Sequence, residues 1–84
     1  MVSIVYKYPV YAHPTKIRSG KIIHFGEDYD GTPSVWIYHT DNNHELIELY
    51  IVGTGMNFPD THPALMSYVT PQGFVWHLIE KLDN

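Results

Sequence analysis

The sequence predicts an all-β domain: a small antiparallel barrel or two-layer sandwich of about six short strands, with at most one helical turn. Three observations carry that expectation. Apolar residues recur with a period of two along most of the chain, the signature of half-buried strands. The alternating segments are rich in Val, Ile, Tyr and Trp, which suit a pleated surface, and 14% of the chain is aromatic. Turn residues recur at close intervals, as in Asp30-Gly31, Asp41-Asn42-Asn43 and Pro71-Gln72-Gly73, a spacing that favours hairpins over crossovers.

The elements follow in order. Ile4, Tyr6 and Tyr8 alternate with Val5 and Lys7, giving a strand near 2–9 that stops at Pro9. The stretch HPTKIRSG reads as a connector with turn residues at both ends. KIIHF makes a strand at 21–26, and EDYDGTP a loop that turns at Asp30-Gly31. In the strand at 33–40, Val35, Ile37 and His39 share one face, and Trp36, Tyr38 and Thr40 the other. HELIELYIV gives a strand at 45–52 with Ile47, Leu49 and Ile51 on one face. The last two strands, 66–70 and 74–80, are joined by Pro71-Gln72-Gly73. Two segments also fit helical grammar. DTHPALMSYV offers a cap and a first-turn proline, and Phe74, Leu78 and Leu82 stand at helical spacing.

Eighty-four residues make one domain, 1–84. A chain of this size buries only about 60–65% of its unfolded surface, so the core is expected to be thin. With no cysteine, neither disulfides nor a thiolate zinc site can contribute. The apolar runs are too short for a membrane-spanning helix, and MVSIVYKYPV lacks the grammar of a secretory signal. A cytoplasmic protein without a membrane partner is the expectation. Charge is lopsided: residues 1–26 carry Lys7, Lys16, Arg18 and Lys21 and no acid, whereas residues 27–84 carry nine acids against Lys81 alone. Four cations are too few for a duplex footprint, so nucleic acid is not expected as a partner.

Taken together, IVYKYPV, GKIIHFGEDYDGTPSVWIYH, LYIVGTG and GFVWHLIE resemble a family of small phage- and prophage-encoded proteins of unknown function. The resemblance runs from Tyr6 to Glu80 and departs at IRSG, where the family has an apolar-Pro-x-Gly turn. It implies a phage context and supplies no catalytic residues.

Gly53-Thr54-Gly55 follows a strand, but Pro59 stops any helix and no P-loop lysine is present. A nucleotide-binding fold is therefore excluded. What remains is a bulge or tight corner with glycines at positive φ, or a backbone nest that collects an anion. Lys16, Arg18 and Lys21, folded back to Gly53, Thr54 and Gly55, would make such an anion site. Six histidines invite a metal reading, and His39 and His44 flank one turn with Asp41 as the third donor. Three convergent ligands are required, however, and no recognised spacing supplies them, so neither metal nor cofactor is expected. His77 reads as a half-buried structural histidine. No nucleophile, base and orienter can be assembled from sequence, so no enzyme is expected.

Phe74, Trp76 and Leu78 face one way on the last strand and Val75 and Ile79 the other. An 84-residue chain can hardly cover both faces, so the C-terminal strand is expected to make a homo-oligomeric interface. The functional expectation is a phage-encoded accessory binding protein acting on a host factor. The alternatives are a sponge for a small anionic, nucleotide-like ligand and a minor virion component.

Overall fold

The structure, a computed structural model, describes residues 2–40 and 44–82. It is all-β, with seven strands in chain order: β1 Ser3–Pro9, β2 Thr15–Arg18, β3 Lys21–Glu27, β4 Pro33–Thr40, β5 Leu46–Gly53, β6 Ala64–Val69 and β7 Val75–Lys81. The two segments with helical grammar hold β6 and β7, and residues 60–63 ahead of β6 form a turn. No helix among the described residues is long and apolar enough to cross a membrane.

The strands form two antiparallel sheets, β1-β4-β3 and β2-β5-β7-β6. The core between them takes Val35 and Ile37 of β4 and Phe25 of β3 from one sheet. Leu49 and Ile51 of β5, Ile17 of β2 and Leu78 of β7 come from the other. These are the alternating residues of each strand, so the period of two alone sorts them inward. At the sheet edges β3 meets β6, where the Phe25 and Tyr68 rings pack edge to face at 4.8 Å.

The extra strand, β2, lies within the segment expected to be a connector. It has only four residues and one buried apolar side chain, Ile17, too short a run to register as alternation. Pairing with β5 makes it a strand, with Ile17 opposite Ile47. The turn after it brings Gly20 against β4, and Ser19 donates its amide to the Glu45 carbonyl at 2.8 Å.

His39, on the core face of β4, is wholly buried. Its Nδ1 lies 3.1 Å from the Ser19 carbonyl, which can only accept, so Nδ1 carries the proton. Nε2 then accepts from the Tyr8 hydroxyl at 2.8 Å. Both ring nitrogens are thus occupied by protein groups. Asp41, the third donor of the metal reading, lies outside the described residues, and among those no group of three or more potential ligands could hold a metal.

The outer face of the second sheet is covered from within. Tyr50, Val52 and Ile79 form a second buried cluster there. The connection from β5 to β6 folds over it, with His62 Nδ1 2.7 Å from the Tyr50 hydroxyl. The Glu80 amide donates to the Pro63 carbonyl at 3.0 Å. Burial pushes the Tyr50 phenol above its ordinary pKa.

The acidic loop at 27–30 is built around one carboxylate. Asp28 Oδ1 accepts from the amides of Asp30 at 2.9 Å and Thr32 at 3.0 Å. Its Oδ2 accepts from Lys7 Nζ at 2.9 Å, tying the loop to β1. The Lys7 bond, followed by the Thr32 amide, holds the Asp28 carboxyl below the usual 3.8. A depressed carboxylate stabilises the fold above its unfolded pKa and loses that contribution as pH falls through the folded value. Urea unfolding midpoints should therefore drop between pH 5 and pH 2 in the wild type, and drop less in Asp28→Asn.

Candidate functional site

β5 ends in a tight corner. The Met56 amide donates to the Gly53 carbonyl at 3.1 Å, and Gly55 has φ of 90°. That is the third position of a type II turn, where only glycine sits without strain. Gly53 does not share the positive φ expected of it, and the β5–β7 register runs unbroken to Gly53 opposite Trp76. The corner is therefore a turn after a regular strand end, without a bulge at Gly53.

Two open clefts meet at this corner. One, of about 360 Å³, is lined by Gly53, Thr54, Gly73, Phe74, Val75 and Trp76. The other, of about 190 Å³, lies over the outer face of the sheet, and Phe58, Ala64 and His77 help to line it. Gly53 and Thr54 belong to both.

Thr54 and His77 make this corner chemically distinct. Thr54 Oγ1 lies 2.9 Å from His77 Nε2, and Ser67 Oγ lies 2.6 Å from His77 Nδ1. Ser67 and His77 are direct cross-strand partners in β6 and β7, which fixes the ring between the two hydroxyls. Sequence reasoning singled out Thr54 for its glycines and His77 for its strand, but not Ser67 as their partner. The register runs unbroken from the turn at 70–74 to this pair and shifts only beyond it, between Ala64 and Met66, so the hairpin expected at Pro71-Gln72-Gly73 was the signal that could have found it.

The basic residues do not assemble here. Arg18 pairs with Leu46 at the opposite end of β5; Gly53 is seven residues further on, roughly 23 Å along an extended strand. Arg18 instead donates to the Thr40 carbonyl at 2.6 Å, joining the two sheets. Lys16 faces Glu48, and both line a third cleft of about 360 Å³ with Glu80 and Lys81. Lys21 lies in the other sheet, opposite Tyr38. The ring of Lys16, Arg18 and Lys21 around Gly53, Thr54 and Gly55 is therefore corrected: β2 pairs with the first half of β5, not the second.

The expected C-terminal interface is corrected too. β7 has β5 on one side and β6 on the other, so it has no free edge. Leu78 is wholly buried in the core, and Trp76 is half-buried against it. Only Phe74, 69% exposed, stands out in solvent. On the other face of β7, Ile79 joins the Tyr50–Val52–Ile79 cluster, covered by the chain itself.

Exposed apolar surface lies instead on β1. Among the described residues it is an edge strand whose backbone pairs with β4 alone. Ile4 and Tyr6 on its inner face are 44% and 48% exposed, and Val5 on its outer face is 45% exposed. The strand's one charge, Lys7, is paired with Asp28.

Compared with protein families, the chain matches over residues 1–84 a family model described as Domain of unknown function (DUF7352). No curated protein and no solved structure matches it.

Proposed function

The chain belongs to this family, and on that premise we propose that it is an accessory binding protein that engages a protein of the host cell by strand addition along β1. The observation that carries this reading is the edge itself: seven residues, with Ile4, Tyr6 and Val5 exposed, and one side unpaired among the described residues. An unblunted edge of this kind offers a row of backbone donors and acceptors to an extended segment. Natural edges are usually protected by charge or by a covering element, whereas here the single lysine is already neutralised. The sequence resemblance supports a phage-encoded protein acting in the host cytoplasm. Contact along β1 calls for no chemistry by the protein.

The test is affinity capture from host cells with wild type and with Val5→Lys, which puts a charge on the exposed outer face of β1. A host protein retained by the wild type and lost by the variant, with circular dichroism unchanged, is the expected result. Equal retention by both would overturn the assignment to β1. Sedimentation of the isolated protein completes the experiment: a dimer abolished by Val5→Lys would make the added strand a second copy and contradict the host-partner reading.

A second reading, capture of a small ligand, is favoured by the corner cleft, where Phe74 and Trp76 offer ring faces beside the Gly53 backbone. Without the basic ring its charge preference is open, and a melting-temperature panel of nucleotides against Phe74→Ala tests it. A bound ligand at 100 times its dissociation constant should stabilise the wild type by about 2.7 kcal/mol.

A further inference from the structure

We propose that Thr54 is a nucleophile whose proton His77 accepts, and that the two clefts meeting at Thr54 receive the acyl and leaving groups of a small ester. A weak hydroxyl nucleophile needs an adjacent base, and the base needs a third group to orient it. Thr54, His77 and Ser67 supply those roles at 2.9 Å and 2.6 Å. When Nδ1–H donates to Ser67 Oγ, Nε2 is left as the acceptor of the Thr54 proton. Ser67 is then a positioning residue, held to its task by its cross-strand place opposite His77.

The flanking glycines leave the Thr54 hydroxyl approachable. A side chain at Gly55 would meet nothing within 4 Å, and one at Gly53 would reach only Met56 Sδ at 3.6 Å and Trp76 at 3.8 Å. The smaller cleft, bordered by Val52, Met56, Phe58 and Ala64, suits a short apolar acyl group. The larger, bordered by Phe74 and Trp76, suits an aromatic leaving group.

The steps balance with water as the only co-reactant. Thr54 Oγ1 bonds to the acyl carbon while its proton passes to His77 Nε2. The ester C–O bond breaks, and the departing oxygen takes that proton. Water then attacks the acyl-threonine and gives a proton to His77, and the carboxylic acid leaves as the proton returns to Thr54. General-base help of about 10²–10⁴-fold is the expected scale.

The test uses p-nitrophenyl acetate with wild type, Thr54→Val, Thr54→Ser, His77→Gln and Ser67→Ala, each checked for an unchanged melting temperature. Peptide mass spectrometry of acid-quenched samples should place an acetyl group on Thr54 in the wild type and on residue 54 in Thr54→Ser, and none at that position in Thr54→Val. His77→Gln should slow nitrophenol release by about 10²–10⁴-fold and remove the histidine limb of its pH profile. Ser67→Ala should slow release while keeping that limb. Acetyl groups found only on lysines, an adduct on Ser67, or release unaffected by Thr54→Val would each overturn the proposal. β1 lies in the other sheet, so these outcomes are independent of host-protein capture.

Discussion

Leu78→Ala should cost about 2–5 kcal/mol of folding stability, the range for emptying a buried leucine site. Leu78 is fully buried, opposite Ile51 on one side and Met66 on the other, where removed methyl groups leave a cavity that two flanking strands limit from closing. An 84-residue domain holds roughly 4–13 kcal/mol in total, so the variant should be marginal at 37 °C. The same substitution at Phe74, in the same strand region but 69% exposed, should fall within about 0.5 kcal/mol of wild type. Urea unfolding of both variants at two protein concentrations checks this pair. A Leu78→Ala loss that appears only at the higher concentration would return Leu78 to an intermolecular contact.

Gly20→Ala should be nearly as damaging, by about 1–3 kcal/mol or more. A Cβ at Gly20 would run into the carbonyl oxygen of Tyr38 and approach Ile37 Cγ2 to 2.8 Å and His39 Nδ1 to 3.0 Å. The first obstacle is backbone of the central strand, so it cannot rotate aside. The adjacent Ser19 carbonyl, which receives the His39 proton, would be displaced with it. For a domain of this size each kcal/mol moves the melting temperature by about 4–8 °C, so calorimetry should show a fall of roughly 4–24 °C. Gly53→Ala is the contrast. Its Cβ meets only ordinary contacts and its φ is not positive, so a much smaller shift is expected there.

The strands were legible wherever alternation ran for five residues or more. β4, β5 and β7 needed nothing else, and the shared face of Trp76 and Leu78 follows from parity alone. The same parity placed His39 with Val35 and Ile37, on the core face. β2 escaped because Thr15–Arg18 has a single apolar residue and becomes a strand only through its partner. Missing β2 also misplaced Arg18, since pairing with Leu46 rather than Gly53 is a fact of register that no local pattern contains. The cover over the outer face of β7 was not visible for a related reason. The β5–β6 connection is polar and proline-rich, and nothing in its composition announces that His62 reaches Tyr50. Half of the corner site was visible as Gly-Thr-Gly; the Ser67–His77 pair follows from counting back evenly from the Pro71-Gln72-Gly73 turn, but the approach of Thr54 to that pair is tertiary and no local pattern contains it.

The central claim is that a partner strand adds to the free edge of β1 and not to β7. Residue-resolved amide hydrogen exchange, on the isolated protein and on its complex from host cells, measures this directly. In the isolated protein β1 amides should alternate between slow and fast, because every second one points away from β4, while β7 amides should be slow throughout. In the complex the fast amides of β1 should become slow and those of β7 stay unchanged. Protection gained at Phe74–Leu78, with β1 exchanging as before, would contradict the claim.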